Sequence, residues 1–91
     1  MEFIWHAEKA TTNRLKHDVS FEEASTAFSD PLSRTIDDPD HSEYEPRSLL
    51  IGLSTHGRLL VVSHTDFGCR IRIVSARLAT RRERWDYEEE T

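Results

Sequence analysis

Hydrophobic and polar residues alternate along the second half of the chain, which is typical of β-strands. The alternation predicts three strands, at Ser48–Ser54, Arg58–Thr65 and Cys69–Arg77. The sequences THG (55–57) and DFG (66–68) separate them. Each is typical of a three-residue hairpin loop whose glycine adopts a left-handed conformation. We therefore expect an antiparallel meander.

The two turns also predict how the strands pair. THG would pair Ser54 with Arg58, and DFG would pair Thr65 with Cys69. Because directly opposed residues share a face, these pairs predict one mixed face that carries Arg58, His64, Arg70 and Arg72. The other face is almost wholly apolar and needs a cover. Its members are Leu49, Ile51, Leu53, Leu59, Val61, Ser63, Ile71, Ile73 and Ser75.

The first half of the chain predicts helices that can provide this cover. Ser20 and Glu23 have the spacing of a capping box at the start of a helix, which Asp30-Pro31 would end. The remaining predicted elements are a strand at Phe3–Trp5, a helix at Ala7–His17, a strand at Leu32–Asp37 and a helix at Thr80–Glu89. Together they predict one α+β domain over residues 1–91. We expect an antiparallel sheet with two N-terminal helices packed on one face and a C-terminal helix.

Charge is distributed unevenly along the chain. The net charge is −5, yet residues 47–85 contain eight arginines and two acidic residues, a net of +6. The only cysteine is Cys69, and neither a signal-peptide pattern nor a membrane span is apparent. These features predict a cytoplasmic protein with a locally positive surface, although a solvated, ion-paired surface is the ordinary interpretation of such a charge run.

Arginine and histidine on an open sheet face suit an RNA phosphodiester. Cleavage without a metal needs a base for the 2′-hydroxyl, cations for the charge on phosphorus and an acid for the leaving oxygen. The candidate catalytic residues are His64, Arg70, Arg72, Arg58, Lys16 and His17. The candidate RNA-binding residues are Arg77, Arg81 and Tyr87. The five histidines lack metal-ligand spacing, so we predict neither a metal nor a cofactor.

Several of these residues also have a structural interpretation. His64 can be a hydrogen-bonded surface histidine, and Lys16 and His17 can stabilise the dipole of the first helix. Arg77 falls at a strand end, where a carboxylate can pair with it. We expect Trp85 to pack in the core.

Four segments resemble the BrnT-type toxin family of bacterial type II toxin–antitoxin modules. They are FIWHAEKATTNRLKHDVSFEEASTAFSDP, DPDHSE, GLSTHGRLLVVSHT and RIRIVSARLATRRERWDYE, and they occur in order over nearly the whole chain. The resemblance implies a RelE-like fold and an RNA-cleaving toxin that blocks translation. It also implies neutralisation by a BrnA-type antitoxin, a ribbon-helix-helix protein through which the complex contacts operator DNA.

Two other hypotheses remain open from the residues. The first is a non-enzymatic module that binds RNA or only its protein partner. The second is a metal-assisted nuclease that uses the acidic loop at residues 37–46. Activity in the presence of a chelator would distinguish the second from the metal-independent enzyme.

Overall fold

The computed structural model describes residues 1–38 and 46–89. Within these ranges the chain forms five strands, three α-helices and one short 3₁₀ helix at Ala27–Ser29. The elements are β1 (Glu2–Ile4), α1 (Ala7–His17), α2 (Phe21–Thr26), β2 (Arg34–Asp37), β3 (Ser48–Leu53), β4 (Leu59–Phe67), β5 (Arg70–Leu78) and α3 (Arg81–Glu89). Most of the predicted acidic loop, residues 39–45, lies outside the described residues.

The five strands form a single sheet in the order β1-β5-β4-β3-β2. All neighbouring pairs are antiparallel except β1 and β5, which run parallel. A parallel pair needs a long crossover, and here α1 and α2 lie within it. The predicted α+β class and helix content are confirmed, whereas the sheet is mixed and not wholly antiparallel.

Local signals fix where the first two helices end and begin. α1 ends at Asp18, which adopts the left-handed conformation (φ 57°). The Ser20 hydroxyl accepts a hydrogen bond from the Glu23 amide at 3.0 Å, as predicted for the start of α2. The Glu23 carboxylate does not complete the capping box, because it is engaged by Ser54 and Arg58 in the segment between β3 and β4.

Asn13 joins α1 to the edge of β5. Its side-chain amide donates to the carbonyl oxygens of Val19 (2.9 Å) and Ala76 (2.8 Å), and its Oδ1 accepts from the Ala76 amide at 3.0 Å. β1 pairs only with residues 70–72 of β5, so its partnership ends before Ala76. The Asn13 amide therefore satisfies backbone groups that another strand would otherwise pair.

The predicted register is correct in the first hairpin and wrong in the second. Gly57 has φ 78°, and Leu53 pairs with Leu59 as predicted. In the second hairpin Phe67 pairs with Arg70. The loop therefore has two residues and not three, and Gly68 (φ 59°) is its first residue, as in a type II′ turn.

The second hairpin also contains an irregularity that sequence patterns do not reveal. Ser63 pairs with Ser75, whereas His64 pairs with Ile73, so Val74 is an extra residue in β5. This bulge reverses which face the first half of β5 presents. Arg70 and Arg72 consequently leave the face that carries His64.

The helices cover the face that we expected to be open. We call it the helix face: Val19 between α1 and α2, together with Phe21 and Ala24 of α2, forms a core with Leu60, Val62, Ile73 and Ala76. Gly52 permits this packing, because a Cβ there would lie 2.6 Å from the Ala27 carbonyl oxygen. The prediction about which face is covered is therefore wrong.

The opposite face of the sheet, which we call the outer face, is apolar at one end and polar at the other. Leu59 and Val61 are buried at the apolar end. α3 is held on this side, because Glu83 binds Arg77 of β5 and the Asp86 carbonyl accepts from Arg34 of β2. Both faces are thus apolar at the centre of the sheet, which explains why the hydrophobic pattern alone predicts the wrong face for the helices to cover.

Candidate functional site

Arginines gather at the polar end of the outer face. Arg72 pairs with Thr65 and Arg70 pairs with Phe67, so these four side chains share one face. Arg47 immediately precedes β3, and extending the β3–β4 register by one residue places it opposite Thr65. We call Arg47, Thr65, Phe67, Arg70 and Arg72 the arginine patch.

Two arginines of the patch have contacts that describe their surroundings. The Arg72 guanidinium lies 5.1 Å from the centre of the Phe67 ring, a cation–π contact that orients the arginine. Arg70 Nε lies 3.9 Å from Glu2 Oε1, and both side chains are exposed, so this ion pair is weak. A surface of this kind attracts polyanions.

His64 lies apart from the arginine patch. It pairs with Ser48 and Ile73, is only 4% exposed, and packs edge-on against Phe28 with ring centres 4.9 Å apart. The predicted position of His64 beside Arg70 is therefore wrong. Burial lowers the pKa of His64 below its usual 6.5, the opposing influences of the Val62 carbonyl and Asp66 being smaller.

This burial predicts a pH effect on stability. In the unfolded chain the His64 imidazole takes up a proton near pH 6.5, whereas in the folded chain it does so only at a lower pH. The free energy of unfolding therefore decreases as the pH falls below about 6.5, and His64 has no such effect above that pH. Urea unfolding of wild type and His64→Leu should diverge in pH dependence between about pH 7.5 and 5, with the variant losing less stability. The exposed His6→Gln is the control. A His64 imidazole that titrates above 6.5 by NMR would contradict the expectation.

Arg58 lies in a hydrogen-bond network around a buried carboxylate. Its Nε donates to Glu23 Oε2 at 2.9 Å, and its Nη2 donates to Glu23 Oε1 and to the Asp18 carbonyl. The Ser54 hydroxyl donates to the same carboxylate at 2.8 Å. Hydrogen bonding from Arg58 outweighs burial and lowers the pKa of Glu23. Arg58 therefore compensates a carboxylate that is 3% exposed.

Three residues predicted to bind RNA have different surroundings. Arg77 forms a bidentate pair with Glu83 at 2.7 and 2.9 Å, which is the main reason that the pKa of Glu83 falls to about 2. The Tyr87 hydroxyl is buried and donates to Asp30 at 2.6 Å, and desolvation together with this bond raises the pKa of Tyr87 to about 12. Arg81 is exposed at the start of α3.

Tyr87 is the aromatic residue that anchors α3, whereas Trp85 is 56% exposed. The prediction that Trp85 packs in the core is therefore wrong. Residues two apart in a helix point in very different directions, so Trp85 and Tyr87 cannot both face the sheet.

Lys16 and His17 line a cleft between α1 and the edge of β5. The lining also includes Val74 and Ser75 of β5. Ser75 pairs with Ser63 and belongs to the outer face, so the cleft meets that face at the strand edge. The structure thus places two titratable groups at the border of the face that carries the arginines.

Three members of the arginine patch were not among the site residues predicted from the sequence, namely Arg47, Thr65 and Phe67. Arg47 was detectable, because the correct THG register already sets it opposite Thr65. Phe67 and Thr65 were not, since their pairing with Arg70 and Arg72 depends on the length of the second loop.

The described residues contain neither a metal-binding cluster nor a membrane-spanning helix. Within residues 1–38 and 46–89, no three His, Cys, Asp or Glu side chains come together as metal ligands. No helix in the same ranges has the length and hydrophobicity of a membrane span.

Comparisons with known proteins agree with the fold. A structure of the Brucella abortus ribonuclease toxin BrnT matches with a TM-score of 0.65 and 23% sequence identity, over 89% of this chain and 99% of that chain. No curated protein matches the sequence. The family model described as "Ribonuclease toxin, BrnT, of type II toxin-antitoxin system" matches residues 5–83, which include both α1 and the arginine patch. The chain therefore belongs to the BrnT family of ribonuclease toxins.

Proposed function

We propose that this toxin is a metal-independent endoribonuclease that binds RNA through the arginine patch and inhibits translation by cleaving it. The main support is that Arg70 and Arg72 lie on the same face of the sheet, two positions apart in β5, in a family described as ribonuclease toxins. Paired guanidinium groups suit the phosphate oxygens geometrically and electrostatically.

In the proposed reaction the ribose 2′-oxygen attacks the adjacent phosphorus. The O2′–P bond forms as the P–O5′ bond breaks, which yields a 2′,3′-cyclic phosphate and a 5′-hydroxyl. A base removes the 2′-hydroxyl proton, and an acid protonates the departing O5′. Arg70 and Arg72 stabilise the negative charge that accumulates on the phosphoryl oxygens.

Lys16 and His17 are the candidates for proton transfer. They line the cleft that meets the outer face at Ser75, whereas the buried His64 lies on the other face of the sheet. Histidine and lysine side chains can both accept or donate a proton when they are positioned at a reacting oxygen. We accordingly transfer the role first considered for His64 to this pair.

Membership of a toxin–antitoxin family supports a protein partner. We propose that a BrnA-type ribbon-helix-helix antitoxin neutralises the toxin, and that operator DNA is contacted only through it. Co-expression of such an antitoxin should restore the growth of cells that express the toxin.

Cleavage should continue in the presence of EDTA, because the proposed chemistry needs no metal. An oligoribonucleotide treated with the purified protein should yield 5′-hydroxyl ends that polynucleotide kinase labels without prior phosphatase treatment. Substrate with a single 2′-deoxy linkage at the cleavage position is the control, and it should resist. Loss of activity in EDTA would contradict the proposal and favour the metal-assisted alternative. Salt-sensitive binding without cleavage would favour the binding module.

A further inference from the structure

Two buried polar atoms of the arginine patch lack a hydrogen-bond partner within the described residues. They are Arg47 Nε and Thr65 Oγ1. Thr65 is only 4% exposed. Leaving such a group unsatisfied costs about 1–3 kcal/mol, and folded proteins contain few of them. Two in the same patch therefore require an explanation.

The sheet register brings these two residues to neighbouring positions. Thr65 lies between Arg72 on β5 and Arg47, the residue before β3, so an arginine is opposite Thr65 on each side. The Cβ atoms of directly opposed residues are about 4.5–5.5 Å apart, which lets all three side chains contact one small ligand. The row consists of donors, because a guanidinium has no acceptor and the threonine hydroxyl can donate.

We propose that Arg47, Thr65 and Arg72 form a subsite for one phosphate group of single-stranded RNA. A phosphate supplies acceptors for both orphaned donors. Both orphaned atoms are closed to solvent, so ligand entry requires side chains of the patch to move.

Phe67 favours a nucleotide over an acidic peptide as the ligand. It occupies the next position on the same face, beside Arg70, and is 49% exposed. An exposed aromatic ring next to a phosphate subsite offers a stacking surface for an unpaired base. This inference rests on the proposed ribonuclease function and adds to it which residues hold the substrate backbone.

Binding of a fluorescent 2′-O-methyl oligoribonucleotide, which cannot be cleaved, tests the subsite separately from catalysis. Thr65→Val retains the side-chain shape and should weaken binding about tenfold, without lowering the melting temperature. Arg47→Ala should weaken binding by a similar factor and reduce the slope of log K against log salt by about one. Arg14→Ala removes an exposed charge from α1 and should change the affinity least.

The outcomes distinguish this inference from the proposed function. If wild type cleaves RNA while Thr65→Val and Arg47→Ala bind the oligonucleotide as wild type does, the subsite is wrong and the ribonuclease function stands. If wild type neither binds nor cleaves RNA, both are wrong. If the two substitutions weaken binding of the antitoxin but not of RNA, the ligand is a protein carboxylate and the inference is also overturned.

Discussion

Replacement of Arg70 or Arg72 by alanine should lower the RNA cleavage rate roughly 100- to 1,000-fold, as expected when a preorganised group that stabilises transition-state charge is lost. Both side chains lie at the polar end of the outer face, and Arg72 is oriented by its contact with Phe67. Arg72→Lys retains the charge but loses the planar fork, so we expect intermediate activity. Initial rates on a defined oligoribonucleotide, with folding checked by circular dichroism, measure the effect.

Arg14→Ala is the matched control for these variants. It removes the same charge from α1, which packs on the helix face, and Arg14 has only an exposed ion pair with Asp18. Its cleavage rate should remain close to that of wild type. Equal losses in Arg14→Ala and Arg70→Ala would indicate that only overall charge matters, and would contradict a localised site.

Replacement of Arg58 by alanine should lower the free energy of unfolding by about 3 kcal/mol, because it removes one partner of a buried ion pair. The Glu23 carboxylate would remain almost fully buried with the Ser54 hydroxyl bond and an exposed His56 imidazole whose Nδ1 lies 3.6 Å from Oε1. In a domain of this size such a loss corresponds to a decrease of about 15 °C in melting temperature. Urea and thermal unfolding at neutral pH measure both quantities.

The pH dependence of the Arg58→Ala effect identifies its cause. Arg58 lowers the pKa of Glu23 in the folded state, so its stabilisation is complete above the unfolded value of 4.5 and is lost as the pH falls through the folded value. The stability difference between wild type and Arg58→Ala should therefore decrease below about pH 4.5. The double variant Glu23→Gln/Arg58→Met should recover part of the loss, since neither charge remains buried.

The cleavage rate of Arg58→Ala distinguishes a structural role of Arg58 from a catalytic one. At a temperature where Arg58→Ala remains folded, its cleavage rate should be within a few-fold of wild type, whereas the Arg70 and Arg72 variants lose activity while retaining stability. An Arg58→Ala protein with wild-type stability and no cleavage would indicate a catalytic role for Arg58 and would contradict a purely structural one.

The candidate site was only partly predictable from the sequence. Alternation correctly indicated that Arg70 and Arg72 point away from Ile71 and Ile73, both of which are buried. The grouping of these arginines with His64 was wrong, because that grouping required the register between β4 and β5. The two-residue loop shifts that register by an odd number of residues, and the bulge at Val74 limits the resulting change of face to residues 70–73 of β5.

The sequence by itself determined the elements of this protein, since helix caps, turn glycines and strand alternation are local properties. Ser20, Gly57 and the Arg70–Ile73 alternation each act within a few residues, and each behaves as predicted. Only the tertiary structure decided which side of the sheet α1 and α2 cover. Both sides carry enough apolar surface to form a core, and the choice depends on close packing at Gly52, on the Asn13 bridge to β5 and on the bulge at Val74. These are contacts between distant segments, so no local pattern encodes them, and they place the arginines on the open face and His64 in the core.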